Sequence, residues 1–374
     1  MFLLLKHPKL FQQLRNKQPF VTSLNPLKMA HSLLARYPWV ASPFVVSAPM
    51  KVMSGPALAV AVSRAGGLGF IGPGAKTQDT TNDLEKASTL IANTIPTTSA
   101  LPVGVGYQLW ADDVGIAVAA IEKYKPCAVW LYAPKQGSQD YNDWSSRIRK
   151  ASPETQIWIQ IGTLKEARQL LQLSESPDVV VVQGAESGGH GRANDSMGLM
   201  SLFPEIADVM ASSRIPLFAA GGIADGRGLA AAMCLGASGA VMGTRFLAAS
   251  EARISRGYQD EVVRASDGAV STTRTLLYNH LRGTFGWPEE YSPRTIVNQS
   301  YVEQQQGKSF EELKVLHDEA AKAGDEGWGP TGRLATYAGA SVGLIHDVKN
   351  AGDIVRETRN GALERLQQLF PHKN

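Results

Sequence analysis

One histidine stands among glycines directly after a strongly apolar segment of the chain. Residues 179–191 read VVVVQGAESGGHG, with the histidine at position 190. A neutral imidazole can accept a proton near physiological pH, and its protonated form can stabilise an anion. A single histidine is more often structural, but the surrounding glycines predict a flexible loop that would hold this ring over a bound ligand. The sequence therefore predicts His190 as a catalytic residue, acting as a base or as an anion stabiliser.

Two later segments have the composition of a phosphate site. Residues 215–219 are apolar and run into Ala220-Gly221-Gly222, and residues 240–242 run into Gly243-Thr244. Glycine lets backbone N–H groups approach a phosphate without obstruction by a Cβ, and the N-terminus of a following helix favours an anion. We predict that these two segments bind a phosphate. Two tight structural turns are the alternative interpretation.

The fold must bring these candidate residues together. Along the chain, short apolar runs alternate with amphipathic segments, which indicates alternating strands and helices. The valine run at 179–182 is uniformly apolar, which is typical of a strand covered on both faces in a parallel sheet. The predicted strands are Phe44–Ala48, Leu68–Ile71, Leu101–Gly106, Ala128–Tyr132, Gln156–Ile161, Asp178–Gln183, Ile215–Ala219 and Ala240–Met242. The predicted helices between them are Pro56–Arg64, Thr80–Ala92, Ala111–Lys123, Tyr141–Lys150, Leu164–Leu173, Leu199–Ser212 and Gly226–Leu235.

Eight such strands predict an α/β protein built on a (β/α)8 TIM barrel. A doubly wound open sheet is the alternative, because strand order cannot be read from one sequence. Active sites of these barrels lie at the C-terminal ends of the strands. The first predicted strand ends at Pro49 and Met50, the sixth leads to His190, and the seventh and eighth lead to the two glycine segments. The predicted catalytic and phosphate-binding residues therefore belong to one face of the barrel.

Three parts of the chain lie outside this repeating pattern. Residues 255–330 are more charged and rich in aromatic residues, and we interpret them as an additional, largely helical insertion after strand 8 that caps the barrel mouth. Residues 331–374 return to helical periodicity and are expected to complete the barrel together with residues 41–254. Residues 1–40 are interpreted as a basic N-terminal extension.

The charge of the chain excludes some partners and leaves its location open. A net charge of +3 over 374 residues does not indicate a nucleic acid or a membrane surface as a partner, and no apolar run approaches the ~20 residues that span a bilayer. The first 78 residues contain nine Lys or Arg and no acidic residue. That composition suits a mitochondrial targeting segment, although a cytoplasmic location is favoured, and initiation at Met29 is a further alternative. No metal site is predicted, and the oligomeric state is left open.

Taken together, these segments resemble the nitronate monooxygenase (2-nitropropane dioxygenase) family from about residue 40 to residue 360. The N-terminal signature is Ala-Pro-Met at 48–50 followed by residues 58–69, and the histidine segment is residues 180–190. The phosphate-binding half is residues 219–223 and 236–246, and the closing segment is residues 337–345. Glycine-rich phosphate signatures occur in many barrels, whereas their combination with the histidine segment is much more specific.

The resemblance implies a non-covalently bound FMN and the oxidation of alkyl nitronates, or of nitroalkanes, with O2 as the electron acceptor. The products would be a carbonyl compound and nitrite, and His190 would be the catalytic histidine. The strand ends and the resemblance together predict a cofactor site made of Pro49, Met50, Gln183, Gly188, Gly189, Ala220, Gly221, Gly222, Val241, Met242, Gly243 and Thr244.

The sequence departs from the family pattern at two places. Gly106 stands where family members often have an asparagine, so Gln108 or a backbone group is expected to take over that contact. The histidine segment reads ESGGHGR where EAGGHRG is commoner. An FMN- and NAD(P)H-dependent enoyl reductase is an alternative function, because that family shares this barrel and a similar Gly-Gly-His segment. A non-catalytic flavin-binding protein is another.

Overall fold

The computed structural model describes residues 33–92, 95 and 100–369, and its centre is a closed barrel of eight parallel strands. The strands are, in order around the barrel, β1 (Phe44–Ser47), β2 (Leu68–Ile71), β3 (Leu101–Gln108), β4 (Pro126–Tyr132), β5 (Gln156–Ile161), β6 (Val179–Gln183), β8 (Leu217–Ala220) and β9 (Gly239–Met242). The first and last strands pair from Phe44 with Gly239 to Ser47 with Met242, which closes the barrel. The predicted (β/α)8 barrel is confirmed, and the alternative of an open sheet is wrong.

Eight helices of the described chain surround the barrel, and seven of them connect its successive strands. They are α1 (Pro56–Arg64), α2 (Thr77–Ile91), α3 (Val114–Tyr124), α4 (Ser138–Ala151), α5 (Leu164–Leu170), α6 (Leu199–Met210), α7 (Gly226–Cys234) and, near the end of the chain, α14 (Ala351–Leu369). Local sequence fixes several of their starts: Asp113 and Thr163 accept hydrogen bonds from the first-turn N–H groups of α3 and α5. The last helix packs against α7 and α1 and so completes the ring. Within the described residues, no helix has both the length and the apolar character needed to cross a membrane.

The interior of the barrel is filled by aromatic side chains. The valines of β6 alternate, with Val179 and Val181 in the barrel interior and Val180 and Val182 against the helices. Trp158 stands at the centre of the interior, with its ring centroid 4.7 Å from that of Phe218. Each side chain buried in this way contributes about 1.5–3 kcal/mol to stability. These residues form a packed core below the strand ends.

The described N-terminal residues pack against this interior from the other end of the barrel. Leu33 and Tyr37 are fully buried, and the Tyr37 hydroxyl accepts a hydrogen bond from Trp158 Nε1 at 2.9 Å. This part of the predicted N-terminal extension therefore belongs to the packed barrel. The rest of that extension, residues 1–32, lies outside the described residues.

The region between β9 and α14 contains helices and a small sheet. Its elements are α8 (Thr244–Leu247), α9 (Arg256–Arg264), α10 (Gly268–Ser271), β10 (Thr272–Arg274), α11 (Leu277–Leu281), β11 (Tyr291–Ile296), α12 (Gln299–Gln305) and α13 (Phe310–Lys322). Helices predominate, as predicted, but the two strands were not predicted. They join β7 (Gly189–Arg192) in a three-stranded antiparallel sheet of order β10-β11-β7.

This sheet corrects the interpretation of the histidine segment as a flexible loop. His190 lies on β7, where it pairs with Pro293 of β11. The glycine-rich composition suggested flexibility, whereas an antiparallel partner about one hundred residues downstream holds the segment in an extended conformation. Such a non-local partner has no signal in the local sequence.

Candidate active site

A cavity of about 740 Å³ lies at the C-terminal ends of the barrel strands. This volume is within the usual range of small-molecule and cofactor sites. The cavity is lined by His190 and by almost all residues that were predicted to bind a cofactor, namely Pro49, Met50, Gln183, Gly188, Gly189, Ala220, Gly221, Gly222, Val241, Gly243 and Thr244.

Met242 is the one predicted site residue that does not line the cavity. Side chains alternate along a strand, and Val241 points into the barrel while Met242 points toward the surrounding helices. The Met242 side chain is fully buried there. Its main chain closes the barrel instead, because the Met242 carbonyl accepts a hydrogen bond from Ala48 N at 3.0 Å.

The glycine segments adopt the backbone geometry of a close turn at the cavity wall. Gly221 and Gly222 have φ angles of +103° and +75°, which glycine adopts without strain. No side chain caps α8, which begins after Gly243. The start of α7, in contrast, is capped by Asp225, which accepts hydrogen bonds from two N–H groups of its first turn. The two first-turn N–H groups of α7 that Asp225 caps are therefore not available to an anion.

Three glutamine side chains at the ends of β3, β5 and β6 face the same cavity. Gln108 accepts a hydrogen bond from Lys51 Nζ at 3.1 Å, and Gln160 accepts one from Trp130 Nε1 at 3.2 Å. Gln183 donates to the His190 carbonyl at 3.5 Å. Amide groups of this kind can orient a polar heterocyclic ring through hydrogen bonds.

The packing around Gly106 explains why this chain has no asparagine at that position. A Cβ placed on Gly106 would lie 2.4 Å from the Pro49 Cβ, so any larger residue would displace the end of β1. Gln108 lies two residues further along the same strand and lines the cavity. That Gln108 replaces the family asparagine remains a prediction.

The imidazole of His190 is held between an aromatic ring and an amide. Its ring stacks on Trp287, with centroids 3.6 Å apart and planes 4° from parallel. Asn279 Nδ2 lies 2.8 Å from His190 Nε2. Burial lowers the pKa of His190 to about 3, and the positive charges of Arg274, Lys51 and Arg282 contribute in the same direction. His190 is therefore neutral at physiological pH before an anionic ligand binds.

Two arginines of the small sheet donate hydrogen bonds to the backbone of the histidine segment. Arg274 donates hydrogen bonds to the carbonyls of Ala185, Ser187 and Gly189 at 3.2–3.3 Å. Arg294 donates to the carbonyl of Ala185 as well. Burial lowers the pKa of Arg274 to about 10, and Arg294 adds to this effect, so both guanidinium groups stay charged at neutral pH. The position of His190 thus depends on residues that lie outside the cavity.

The charges on the cavity wall have one sign among the described residues. Lys51, Arg253 and Arg282 line the cavity, and no Asp or Glu does. Arg253 is neutralised by the buried Asp83, at 2.5 Å. Neither Lys51 nor Arg282 has a salt-bridge partner within the described part of the chain, although the charge of Asp112 acts on Lys51 from a greater distance. A cavity with this wall favours anionic ligands.

Several cavity residues were missed by the sequence analysis. They are Lys51, Gln160, Asn279, Arg282 and Tyr337. Gln160 had a local signal, since it is a polar residue near the end of an otherwise apolar strand. Asn279 and Arg282 reach the cavity because the insertion folds over the mouth, and Tyr337 reaches it from the segment that follows the insertion, so their types and spacing carry no signal by themselves.

The fold and the cavity place the chain among (β/α)8-barrel proteins with a cavity at the C-terminal ends of the strands. A family model described as nitronate monooxygenase matches residues 38–114 and 138–357. The chain belongs to the nitronate monooxygenase family, which consists of flavin-dependent oxidoreductases.

Individual relatives agree with this assignment. The chain is 56% identical over 356 residues to the nitronate monooxygenase npaC of Metarhizium robertsii, covering 94% of this chain and 100% of that protein. It is 33% identical to a nitronate monooxygenase of Neurospora crassa, covering 89% and 92% of the two chains. Among solved structures, FabK from Thermotoga maritima is similar, with a TM-score of 0.67, 26% identity and coverage of 90% and 97%.

Proposed function

We propose that this protein binds FMN in the cavity and oxidises alkyl nitronates, with O2 as the electron acceptor, to a carbonyl compound and nitrite. The observation that carries the proposal is the cavity wall. Among the residues that the structure describes, two cationic side chains without a salt-bridge partner and a neutral histidine face a space of about 740 Å³, and no carboxylate lines it. A nitronate and the phosphate of FMN are both anions. The family membership and the names of two curated relatives support the same reaction.

The residues at the mouth fit FMN. The backbone at Gly221, Gly222, Gly243 and Thr244 would hold the phosphate, because these residues line the cavity and the first two have left-handed φ angles that leave no Cβ in the way. Pro49, Met50 and the Gln183 amide would hold the flavin ring. When bound, FMN supplies the electron transfer, while the protein supplies binding, orientation and charge.

The side chains of the chain itself would bind and orient the nitronate. A nitronate carries its negative charge on two oxygens, and Lys51 and Arg282 provide positive charge on the wall of the cavity. His190 is fixed at the same wall by Asn279 and Trp287. An oriented group in a partly water-excluded site stabilises charge more strongly than the same group in water. The insertion contributes Asn279, Arg282 and Trp287 to this site, in agreement with its proposed role as a cap.

The phosphate end of the site is tested by Gly222→Ala. We expect at least a tenfold weaker affinity for FMN, because a Cβ at this residue would lie 3.0 Å from the Glu186 Cβ and alanine is strained at a φ of +75°. The measurement is a titration of the flavin-stripped protein with FMN, followed by flavin fluorescence.

Gly236→Ala is the matched control for this substitution. Gly236 also has a left-handed φ, of +100°, but a Cβ there would have no neighbour within 4 Å, and the residue does not line the cavity. Both variants should lose about 1–2 kcal/mol in the free energy of unfolding from backbone strain, to which Gly222→Ala adds the contact with Glu186. Equal FMN affinity in the two variants would contradict the proposed phosphate site.

The cofactor and the reaction class are tested by reducing the bound flavin in the absence of oxygen. Heat-released flavin from the purified protein should be FMN by chromatography. Propyl-2-nitronate should bleach the bound flavin within seconds of mixing, whereas NADPH should not. Rapid bleaching by NADPH together with inertness toward nitronates would replace the proposal with the reductase alternative, and bleaching by neither would favour a non-catalytic flavin-binding protein.

A further inference from the structure

A chain of three hydrogen bonds leads from a charged arginine to His190. Arg282 Nη1 lies 3.2 Å from the Tyr337 hydroxyl oxygen, and this hydroxyl lies 3.0 Å from Asn279 Oδ1. Asn279 Nδ2 lies 2.8 Å from His190 Nε2. Asn279 is 1% exposed, so it has no solvent to compete for these contacts.

The arginine fixes the direction of every hydrogen bond in this chain. A guanidinium group only donates, so the Tyr337 oxygen accepts from Arg282 and its own proton is directed to Asn279 Oδ1. The Asn279 carbonyl oxygen is thereby assigned to Tyr337, and its NH₂ group faces His190. Nε2 of His190 must then accept, which places the single proton of the neutral ring on Nδ1.

The second ring nitrogen is available to a ligand. Nδ1 of His190 makes no hydrogen bond with any residue that the structure describes, and His190 lines the cavity. Trp287 stacks on the ring at 3.6 Å and so prevents it from rotating out of this orientation. The Nδ1–H group of His190 is therefore available to donate a hydrogen bond into the cavity. The lone pair on Nε2 already accepts a hydrogen bond from Asn279.

We propose that Asn279 is a positioning residue that holds His190 as the Nδ1–H tautomer, so that His190 donates a hydrogen bond to an anionic nitronate and does not remove a proton from a neutral nitroalkane. This inference rests on the proposed function and specifies its substrate form. A general base needs an accessible lone pair within hydrogen-bonding reach of the substrate proton. In this site the ionised substrate must already be formed outside the protein.

The tautomer is tested directly by ¹⁵N NMR of the FMN-loaded full chain labelled at histidine. The chain has seven histidines, so the His190 signals are assigned by their loss in His190→Ala. We expect a protonated Nδ1 and an unprotonated Nε2 in the wild type. In Asn279→Asp the carboxylate can only accept, so the proton should move to Nε2. A protonated Nε2 in the wild-type protein, or an unchanged tautomer in Asn279→Asp, would overturn the proposal.

Charge provides a second readout in the same samples. The charged or titratable groups that act on His190 are Arg274 from β10, Lys51 after β1, and Arg282 and Tyr337 at the end of the hydrogen-bond chain. The carboxylate introduced by Asn279→Asp opposes these positive charges, so the ring should titrate at a higher pH than in the wild type. Asn142→Asp is the matched control, because Asn142 accepts from Ser174 and Glu175 at the surface and its oxygen can still do so as a carboxylate.

Substrate choice provides the functional test. Wild-type kcat/KM for propyl-2-nitronate should exceed that for 2-nitropropane by at least 10²-fold, the usual scale of general-base catalysis. Comparable values for the two substrates would overturn the donor role of His190. If the proposed function is wrong, the FMN-loaded protein will consume no oxygen with either compound. The NMR result would still decide whether Asn279 sets the tautomer of His190.

Discussion

Replacing His190 by alanine should lower nitronate oxidation by 10²-fold or more and leave FMN bound. The ring is stacked on Trp287 and fixed by the buried amide of Asn279, so its nitrogens have a defined position in the cavity. Loss of one oriented donor to a developing or delocalised anion costs about 10²–10³ in rate. The phosphate segments lie on other strands, so the flavin content should not change. The measurement combines kcat/KM from oxygen uptake with the ratio of bound FMN to protein.

His346→Ala is the control for the general effect of removing a histidine. His346 is exposed and lies outside the cavity. It should keep both wild-type turnover and wild-type flavin content. Turnover in His190→Ala within a factor of three of the wild type would show that His190 is a structural residue of the small sheet.

Replacing Arg274 by methionine should lower the free energy of unfolding by about 3 kcal/mol and also reduce turnover. Its guanidinium group donates to the Ser292 carbonyl at 2.6 Å and to the Ser187 hydroxyl at 3.0 Å, in addition to three carbonyls of the histidine segment. Methionine fills similar space but leaves these partly buried acceptors without a donor. We therefore expect β7 to shift, and His190 with it.

Denaturant unfolding and flavin content should be measured together on this variant. Arg147→Met is the matched control, since Arg147 is half exposed and forms only an i,i+4 pair with Asp143, worth about 0.3–0.5 kcal/mol. A second consequence is electrostatic: removal of the Arg274 charge should raise the pKa of His190, because that charge lowers it in the wild type. Unchanged stability and turnover in Arg274→Met would contradict the role assigned to this arginine.

The barrel could be read from the sequence because its determinants are local. Each strand is a short apolar run, and the valines of β6 show burial on both faces without reference to any other part of the chain. Parallel barrels place all strand C-termini at one end. These two facts were sufficient to bring His190 and the glycine segments to one cavity.

The structure of the insertion could not be read in this way. The strand that contains His190 exists because β11 pairs with it, and β11 is separated from it in sequence by about one hundred residues. Glycine-rich composition indicates freedom of the isolated backbone, which tertiary pairing then removes. The same limitation applies to Asn279, Arg282 and Tyr337, which become one hydrogen-bond chain only in the folded state.

The structure also differs from the sequence-based prediction in the direction of side chains within correctly predicted strands. Met242 was included in the site because it belongs to the segment that resembles the family's phosphate side, yet strand alternation points it toward the helices. Gly106 appeared as the loss of a cofactor contact, whereas it is required by the approach of Pro49 to within 2.4 Å of its missing Cβ. Both differences follow from register, and register depends on the neighbouring strands.

Oxygen consumption on addition of propyl-2-nitronate to the purified, FMN-containing protein tests the central claim most directly. The proposed function predicts rapid oxygen uptake with release of nitrite, saturating in nitronate concentration. Protein that carries FMN and yet consumes no oxygen with this or other alkyl nitronates would contradict the claim that this cavity oxidises them.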